Sequence, residues 1–153
     1  AQMAQVATLE KVAITLFRRF RLLEEEDHHG ALNIKKSGIL PLVNSIRLLS
    51  LKYEAQGPGT IQRVQRLEGM GVVGSDLSEE IQDAFYALTR IRLRNQVNQL
   101  ATGKGGDDLI VPSELDPEEQ ENLKRALAVV ERVKQKIYKE FYLEIETAGV
   151  DAQ

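Results

Sequence analysis

The sequence predicts an all-α protein, an antiparallel (up-and-down) helical bundle of four main helices plus a short one. Apolar residues recur at steps of three and four along most of the chain, which is the spacing of an amphipathic helix. Alternation of the kind found in β-strands never extends beyond a few residues. Glycine- and proline-containing stretches divide the chain into helix-length segments joined by short connections, as in a helical bundle.

The first predicted helix carries a heptad-like apolar stripe. Its members are spaced three and four residues apart: Val6, Leu9, Ala13, Leu16, Phe20 and Leu23. This spacing places them on one face of a helix. Glycine is a common C-terminal stop, so this helix is expected to end around His28–Gly30.

The position of Pro41 constrains the start of the second helix. Proline lacks a backbone N–H and its ring clashes with the preceding turn, so it cannot lie deep inside a helix. Regular helix is therefore expected to begin between Ser37 and Pro41 and to end at the turn-forming stretch Gln56–Gly59. Its apolar face comprises Ile39, Val43, Ile46, Leu49 and Tyr53.

Start and stop signals define two further helices. Thr60 is the expected N-cap of a short third helix, which Gly69, Gly71 and Gly74 close. Asp76 and Glu79 have the spacing of a capping box and are expected to start a fourth helix. The glycines from Gly103 to Gly106 stop that helix, and the segment 107–113 is expected to form an extended connector along one edge of the bundle.

The last helix has the strongest start signals. Asp116 is the expected N-cap, Pro117 suits the first helical position and Glu119 lies at the third. The helix is expected to end before Gly149. Its apolar stripe comprises Leu123, Leu127, Val130, Val133, Ile137, Phe141 and Ile145.

Composition excludes several classes of protein. The chain has 153 residues, the size of one domain, and no cysteine, which rules out disulfides, thiolate metal sites and cysteine nucleophiles. The net charge of −3 disfavours non-specific binding to nucleic acid. No apolar run approaches the ~20 residues that span a bilayer, and no signal peptide is visible, so a soluble cytoplasmic protein is expected. Because the sequence begins with Ala, it is expected to be a single domain, 1–153, of a longer protein.

No familiar catalytic motif is present. The sequence lacks a glycine-rich phosphate loop followed by Lys and Ser or Thr. Gly74-Ser75 is similar to the opening of a nucleotidyltransferase motif, but no Asp-x-Asp pair follows, so a turn is the favoured interpretation. His28 and His29 adjoin an acidic run and could contribute to a metal or acid–base site. Adjacent side chains on a helix diverge by roughly 100°, which favours a solvated helix end instead.

Two arginines fall within predicted apolar helix faces. Arg47 lies four residues from both Val43 and Leu51, and Arg92 continues the stripe of the fourth helix, followed by Gln96. A buried guanidinium without a partner is costly. Each arginine is therefore expected either to pair with a carboxylate of the first or last helix, or to line a groove that receives an anionic group.

Charge is segregated along the chain. Between residues 35 and 66 there are six basic side chains and one acidic one, and residues 90–104 add four basic side chains and no acid. Residues 107–125 contain seven acids and two bases. Either these stretches neutralise each other within the bundle, or a basic face attracts a phosphorylated ligand or an acidic partner.

An ordered set of short motifs resembles a known family. The motifs are Leu32 to Val43 (LNIKKSGILPLV), Arg47 to Leu51 (RLLSL), Thr60 to Arg63 (TIQR) and Arg92 to Gln96 (RLRNQ), with Gly103, Leu115 and Leu123-Lys124 further on. They resemble the substrate-binding domain of bacterial signalling nucleotidyltransferases related to protein-PII uridylyltransferase. The resemblance covers roughly residues 15–145. The family commonly has Asp at the positions of Asn33 and Asn44, and often His at the position of Asn95.

The resemblance implies a helical C-terminal domain that packs beside a separate nucleotidyltransferase head in the same parent chain. Mg²⁺ and a nucleoside triphosphate would belong to that head, and this domain would hold no cofactor or catalytic residue. The partner would be the head, with a protein acceptor or a second copy of the chain as further partners, and neither nucleic acid nor membrane. The positions carried over as substrate-binding are Lys35, Arg47, Thr60, Arg63, Arg92, Arg94 and Gln96.

Three functional hypotheses follow. In the first, Arg47, Arg92 and Gln96 line a groove, and Lys35 and Arg94 add positive charge at its rim. The groove positions an anionic acceptor or the phosphates of a nucleotide beside the head. In the second, the domain is a docking or dimerisation module whose first and last helices pair with another chain. In the third, which is the least favoured, the histidine-containing acidic cluster belongs to a hydrolase.

Overall fold

The computed structural model describes residues 12, 19–23 and 30–151, with side chains up to residue 141. Within these residues the chain is all-α, which confirms the predicted class, and contains one very small sheet. The elements in order are strand β1 (Leu32–Asn33), a π-helical turn (Lys35–Ile39), helices α1 (Leu40–Lys52), α2 (Thr60–Gly69) and α3 (Ser75–Ala101), strand β2 (Leu109–Ile110), a 3₁₀ turn (Pro112–Glu114) and helix α4 (Pro117–Asp151).

Two ion pairs define the direction of the long helices. Glu80 near the start of α3 pairs with Arg132, whereas Arg94 near its end pairs with Glu119 at the start of α4. Helices α3 and α4 are therefore antiparallel. Helix α4 also packs against α1, and α2 contacts both α1 and α3. The result is the predicted bundle, with α4 packed between α1 and α3.

The π-helical turn brings the start of α1 close to both long helices. Gly38 within this turn is buried, and a Cβ atom built there would lie 3.3 Å from Leu127 Cδ2 and 3.5 Å from Leu88 Cδ2. The absence of a side chain thus permits the close approach. Regular α-helix begins at Leu40, with Pro41 in its first turn, as the sequence predicts.

The N-terminal prediction requires a correction. Most of the predicted first helix lies outside the described residues, but residues 19–23 are extended rather than helical. The N–H of Leu23 donates to the carbonyl of Ala31 over 2.7 Å, and the N–H of Gly30 donates to the carbonyl of Leu23 over 3.3 Å. Gly30 adopts a φ of +80° that few other residues tolerate. Backbone pairing of Leu23 with Gly30 and Ala31 therefore overrides the helical spacing here.

Two of the three predicted helix caps are wrong. Helix α2 is preceded by Gly59 and α3 by Gly74, and neither start has a side-chain cap. Thr60 and Asp76 fall one position or more inside their helices, so the proposed capping box of α3 does not form. At α4 the prediction is confirmed. The N–H of Glu119 donates to Asp116 Oδ1 over 2.8 Å, and the N–H of Asp116 donates to Glu119 Oε2 over 3.3 Å.

Glycine ends α2 and α3 in the same way. Gly71 and Gly103 have positive φ angles, of 74° and 73°, directly after the C-caps of these helices. After α3, the N–H of Lys104 donates to the carbonyl of Gln99 and the N–H of Gly103 donates to that of Leu100, which is the Schellman pattern. Helix α4, by contrast, continues through Gly149 to Asp151, beyond its predicted end.

The connector after α3 is extended, as predicted, and forms the second strand of the small sheet. Leu109 pairs with Asn33 and Ile110 with Leu32 in antiparallel register. The N–H of Ile34 adds a hydrogen bond of 2.9 Å to the carbonyl of Asp108. The connector thus joins the start of α1 to the region between α3 and α4.

The stripe of α4 supplies the centre of the core. Five of its side chains are at most 2% exposed: Leu123, Leu127, Val130, Val133 and Ile137. They pack with buried residues of α1, α2 and α3. This part of α4 is therefore not free to pair with another chain, as the docking hypothesis required. Among the described residues, no helix is both long and apolar enough to cross a membrane.

Two buried serines provide a matched test of core polarity. Ser45 and Ser78 are both 0% exposed, but only Ser78 is hydrogen-bonded, donating to Glu68 Oε2 over 2.5 Å. Replacing Ser45 with Ala removes an unsatisfied hydroxyl and should leave the free energy of unfolding unchanged or raise it by up to about 1 kcal/mol. Ser78→Ala should lower it by about 1–3 kcal/mol. Urea unfolding followed by circular dichroism measures both values. An equal decrease in the free energy of unfolding in the two variants would contradict the prediction.

Candidate functional site

A row of polar side chains on the second half of α3 holds the connector in place. Arg92 Nε lies 2.6 Å from Asp108 Oδ1, and Gln96 Nε2 donates to the same oxygen over 3.3 Å. The Asp108 side chain is only 19% exposed. A carboxylate in this position needs a charged partner, which Arg92 provides.

The same row continues towards the end of α3. Asn95 Nδ2 donates to the carbonyl of Leu109 over 3.1 Å. Gln99 Nε2 donates to Asp107 Oδ1 over 2.5 Å, and Gln99 Oε1 accepts the N–H of Asp107 over 2.7 Å. Helix α3 therefore satisfies both backbone and side-chain groups of the connector. We call this row, Arg92, Asn95, Gln96 and Gln99, the connector clamp.

The first of two clefts lies between α3 and α4 and has a volume of about 480 Å³. Its apolar floor includes Ala84, Ala87 and Ala126, whose small side chains leave space between the two helices. Its rim combines acids and bases. They are Glu80, Asp83, Arg90, Arg94, Asp116, Glu118, Glu119 and Arg125.

The second cleft lies between the end of α3 and the connector, with a volume of about 840 Å³. Its polar groups include Asn98, Lys104 and the amides of the connector clamp facing Asp107. The Lys104 ammonium and the Asn98 amide form no hydrogen bond with another described side chain. This cleft therefore presents available hydrogen-bond donors.

The ion pair of Arg94 with Glu119 separates the two clefts, since both residues line each of them. The hydrogen bond from Arg94 lowers the pKa of Glu119 below its ordinary value, and the same bond raises the pKa of Arg94. Both groups are consequently charged at neutral pH. The pair also fixes the start of α4, because Glu119 is part of the capping box.

The predicted site residues do not form one cluster. Arg92 and Gln96 belong to the connector clamp, and Arg94 lies between the clefts. Arg47 and Lys35 are exposed on α1 and the π-helical turn, and no hydrogen bond or ion pair of the described residues joins them to Arg92. The expectation that Arg47 is buried is thus wrong.

The remaining two predicted residues belong to α2. Thr60 is 9% exposed at the first position of this helix, and Arg63 one turn later is half-buried. Neither residue lines one of the two clefts. The structure therefore separates these positions from Arg94.

Several residues that shape this region were not selected from the sequence. They are Asn95, Asn98, Gln99, Lys104, Asp107, Asp108 and Glu119. The sequence did indicate that these segments attract each other, because a basic run at 90–104 is followed by an acidic run at 107–125. Arg92 and Arg94 of the first run pair with acids of the second. For these residues, internal neutralisation was the correct alternative. The acids that Arg92 and Arg94 use lie in the connector and the first turn of α4.

No metal or acid–base site emerges from the described residues. Within them, no three His, Asp or Glu side chains are arranged to hold a metal ion. His28 and His29, which form the other candidate cluster, lie outside the residues described. The structure around Arg94 instead combines two clefts, charged rims and amide donors.

Comparison with known proteins identifies the family. The chain belongs to the family described as "Putative nucleotidyltransferase substrate binding domain", which matches residues 1–141. This confirms the resemblance found in the sequence. No curated protein and no solved structure shows significant similarity to the chain.

The ion pair predicts a specific pH dependence of stability. A carboxyl group with a lowered folded-state pKa stabilises the fold above its unfolded pKa, and the contribution disappears as the pH falls through the folded value. Glu119→Gln should therefore be less stable than wild type at pH 7, and this difference should shrink as the pH falls below the ordinary value of 4.5.

The measurement is urea unfolding of both proteins between pH 7 and pH 3. Glu118→Gln is the matched control, because Glu118 lies beside Glu119 in the first turn of α4 and is exposed. At pH 7, the free energy of unfolding of Glu118→Gln should differ less from wild type than that of Glu119→Gln does. A difference between Glu119→Gln and wild type that stays constant over the whole range would contradict the assignment.

Proposed function

We propose that this domain holds a substrate of a nucleotidyltransferase, either an anionic acceptor or the phosphates of a nucleotide, beside a separate catalytic head. Membership of the family over residues 1–141 carries the proposal. The head would supply the Mg²⁺, the nucleoside triphosphate and the chemistry. The described residues include no set of carboxylates or histidines suited to a metal, so we assign no catalytic step to this chain.

The second cleft is the better candidate for an anion. The acids of the first cleft outnumber its bases, and two of them, Asp83 and Glu118, form no ion pair with a described residue and would repel a phosphate. In the second cleft, Gln99 and Arg94 engage Asp107 and Glu119, which leaves Glu114 as its one acid without a described partner. Lys104 and Asn98 remain available to an incoming oxygen atom.

Arg94 would act as the shared cation between the clefts. Its side chain is 47% exposed while paired with Glu119, so a guanidinium N–H can still reach a bound anion. Arg92 and Gln96 would act as positioning residues, because they hold the connector that forms one wall of the second cleft.

The other predicted positions would act elsewhere. Lys35, Arg47 and Arg63 would provide a separate set of cations to the head or to the distal part of a large substrate. Thr60 is buried at the start of α2 and would support that helix rather than contact the substrate. In this proposal, the seven predicted residues serve four different purposes.

Titration calorimetry with the four ribonucleoside triphosphates and with pyrophosphate tests the proposal. At least one probe should bind the full 153-residue chain saturably, and Lys104→Gln should weaken binding on the order of tenfold, because a hydrogen bond to a charged group contributes about 1.5–3 kcal/mol. Lys139→Gln, an exposed lysine of α4 outside both clefts, is the matched control. Absence of saturable binding, or equal affinities in the two variants, would overturn the proposal.

A further inference from the structure

Helix α3 carries an exposed apolar stripe that the clefts do not use. Tyr86, Leu93, Val97 and Leu100 are 59%, 60%, 56% and 70% exposed. They follow one another at steps of seven, four and three residues, and Arg90 occupies the intermediate position. This is the a/d spacing of a coiled-coil seam. We call these five residues the α3 seam.

The seam faces away from the rest of the bundle. The buried residues of α3, such as Ile81, Ala84 and Leu88, lie on the opposite side of the helix at 3.6 residues per turn. None of the five seam residues lines the second cleft or belongs to the connector clamp, and of the five only Arg90 lines the first cleft. The seam is therefore separate from the second cleft, which is the candidate substrate site.

The apolar residues of the seam differ from the other exposed apolar residues of the described chain. Leu51, Met70 and Tyr138 are also exposed, but they occur singly on different elements. Isolated exposed apolar residues are normal on protein surfaces, whereas a contiguous row indicates an interaction site. A narrow a/d row fits one partner helix, since a membrane-surface helix presents a broader apolar face.

The positive charge along the seam indicates an acidic partner. Residues 84–106 contain four basic side chains and no carboxylate. Arg92 and Arg94 are neutralised internally by Asp108 and Glu119. Lys104 lines the second cleft, and Arg90, within the seam, forms no ion pair with another described residue. A partner that brings carboxylates to Arg90 complements the surface.

We propose that the α3 seam binds an amphipathic helix of a partner protein, with apolar residues at heptad spacing and glutamate or aspartate on their flanks. Its apolar residues cover the four exposed side chains of the seam. Its carboxylates pair with Arg90. The proposal stands independently of nucleotide binding.

A second copy of the chain fits this surface less well. An antiparallel self-pair that aligns Tyr86 of one copy with Leu100 of the other sets Arg90 of each copy beside Val97 of the other. Between residues 84 and 101, α3 has no carboxylate to neutralise Arg90 in that register. A register shifted towards the acidic start of α3 instead brings its carboxylates against the apolar residues of the seam. In an antiparallel self-pair, therefore, the register that matches the apolar residues leaves Arg90 without a carboxylate. The register that supplies carboxylates does not match the apolar residues.

Two synthetic helical peptides of roughly three heptads test the proposal. Both have leucine at the a and d positions, and one has glutamate on the flanks where the other has lysine. Fluorescence anisotropy with labelled peptides should show binding of the acidic peptide to the 153-residue chain, with an affinity that falls as salt rises. The basic peptide should bind at least about tenfold more weakly.

Two matched triple variants locate the binding. Replacing Leu93, Val97 and Leu100 with Gln should weaken binding of the acidic peptide on the order of tenfold or more. Replacing Leu51, Met70 and Tyr138 with Gln removes similar apolar area elsewhere and should leave it unchanged. Circular dichroism checks that each variant is folded. Arg90→Glu, which keeps the apolar seam, should weaken the acidic peptide and strengthen the basic one.

Several results would overturn the proposal. They include failure of the acidic peptide to bind, equal affinity for both peptides, or an equal loss of affinity for the acidic peptide in the two triple variants. Sedimentation showing a dimer of wild type that the seam variant cannot form would assign the surface to a second copy. Binding to phosphatidylglycerol vesicles that depends on the seam, without peptide binding, would assign it to a lipid surface.

Discussion

The contact of Asp108 with Arg92 and Gln96 joins three separate segments of the described chain. It holds the connector against α3 at the point where the chain turns from that helix towards α4. With the connector in this position, the carbonyl of Asp108 can accept the N–H of Ile34, and Ile110 can pair with Leu32. One partly buried aspartate therefore links α3, the small sheet and the start of α1.

Helix α3 serves four different purposes because its faces carry different side chains. One face packs in the core through Ile81 and Leu88 and, further along the helix, clamps the connector through Arg92 and Gln96. A second face borders the clefts through Arg94, whereas a third exposes the α3 seam. A helix can separate these roles because side chains three or four residues apart share a face, and intervening residues do not. Substrate contact and partner docking can accordingly be tested with separate substitutions.

The parts of the fold that depend on local chemistry could be predicted from the sequence. The start of α4 followed from Asp116, Pro117 and Glu119, since a capping box needs only neighbouring residues. The same reasoning was wrong at Asp76, because Gly74 begins α3 without a side-chain cap. At residues 19–23 the apolar spacing wrongly predicted a helix, because the backbone of Leu23 pairs with Gly30 and Ala31.

The candidate site could be predicted only in part, for a related reason. Arg92 was recognised as needing a partner, but Asp108 lies sixteen residues away in a connector, and only the folded chain brings the two together. Arg47 was expected to be buried because Val43 and Leu51 flank it at helical spacing. Leu51 is itself 43% exposed, so that face of α1 lies at the surface. The segregation of charge indicated which segments attract each other, without specifying which pairs form.

The central claim is that Asp108 holds the connector against α3 and so shapes the second cleft. Amide hydrogen–deuterium exchange of wild type, Asp108→Ala and the exposed control Asp83→Ala tests it most directly. In Asp108→Ala, the amides of Ile34, Leu109 and Ile110 should exchange faster, because the clamp no longer restrains the connector, whereas the core amides of α3 and α4 should stay protected. Wild-type exchange at these connector amides, or a uniform loss of protection throughout the bundle, would contradict the claim.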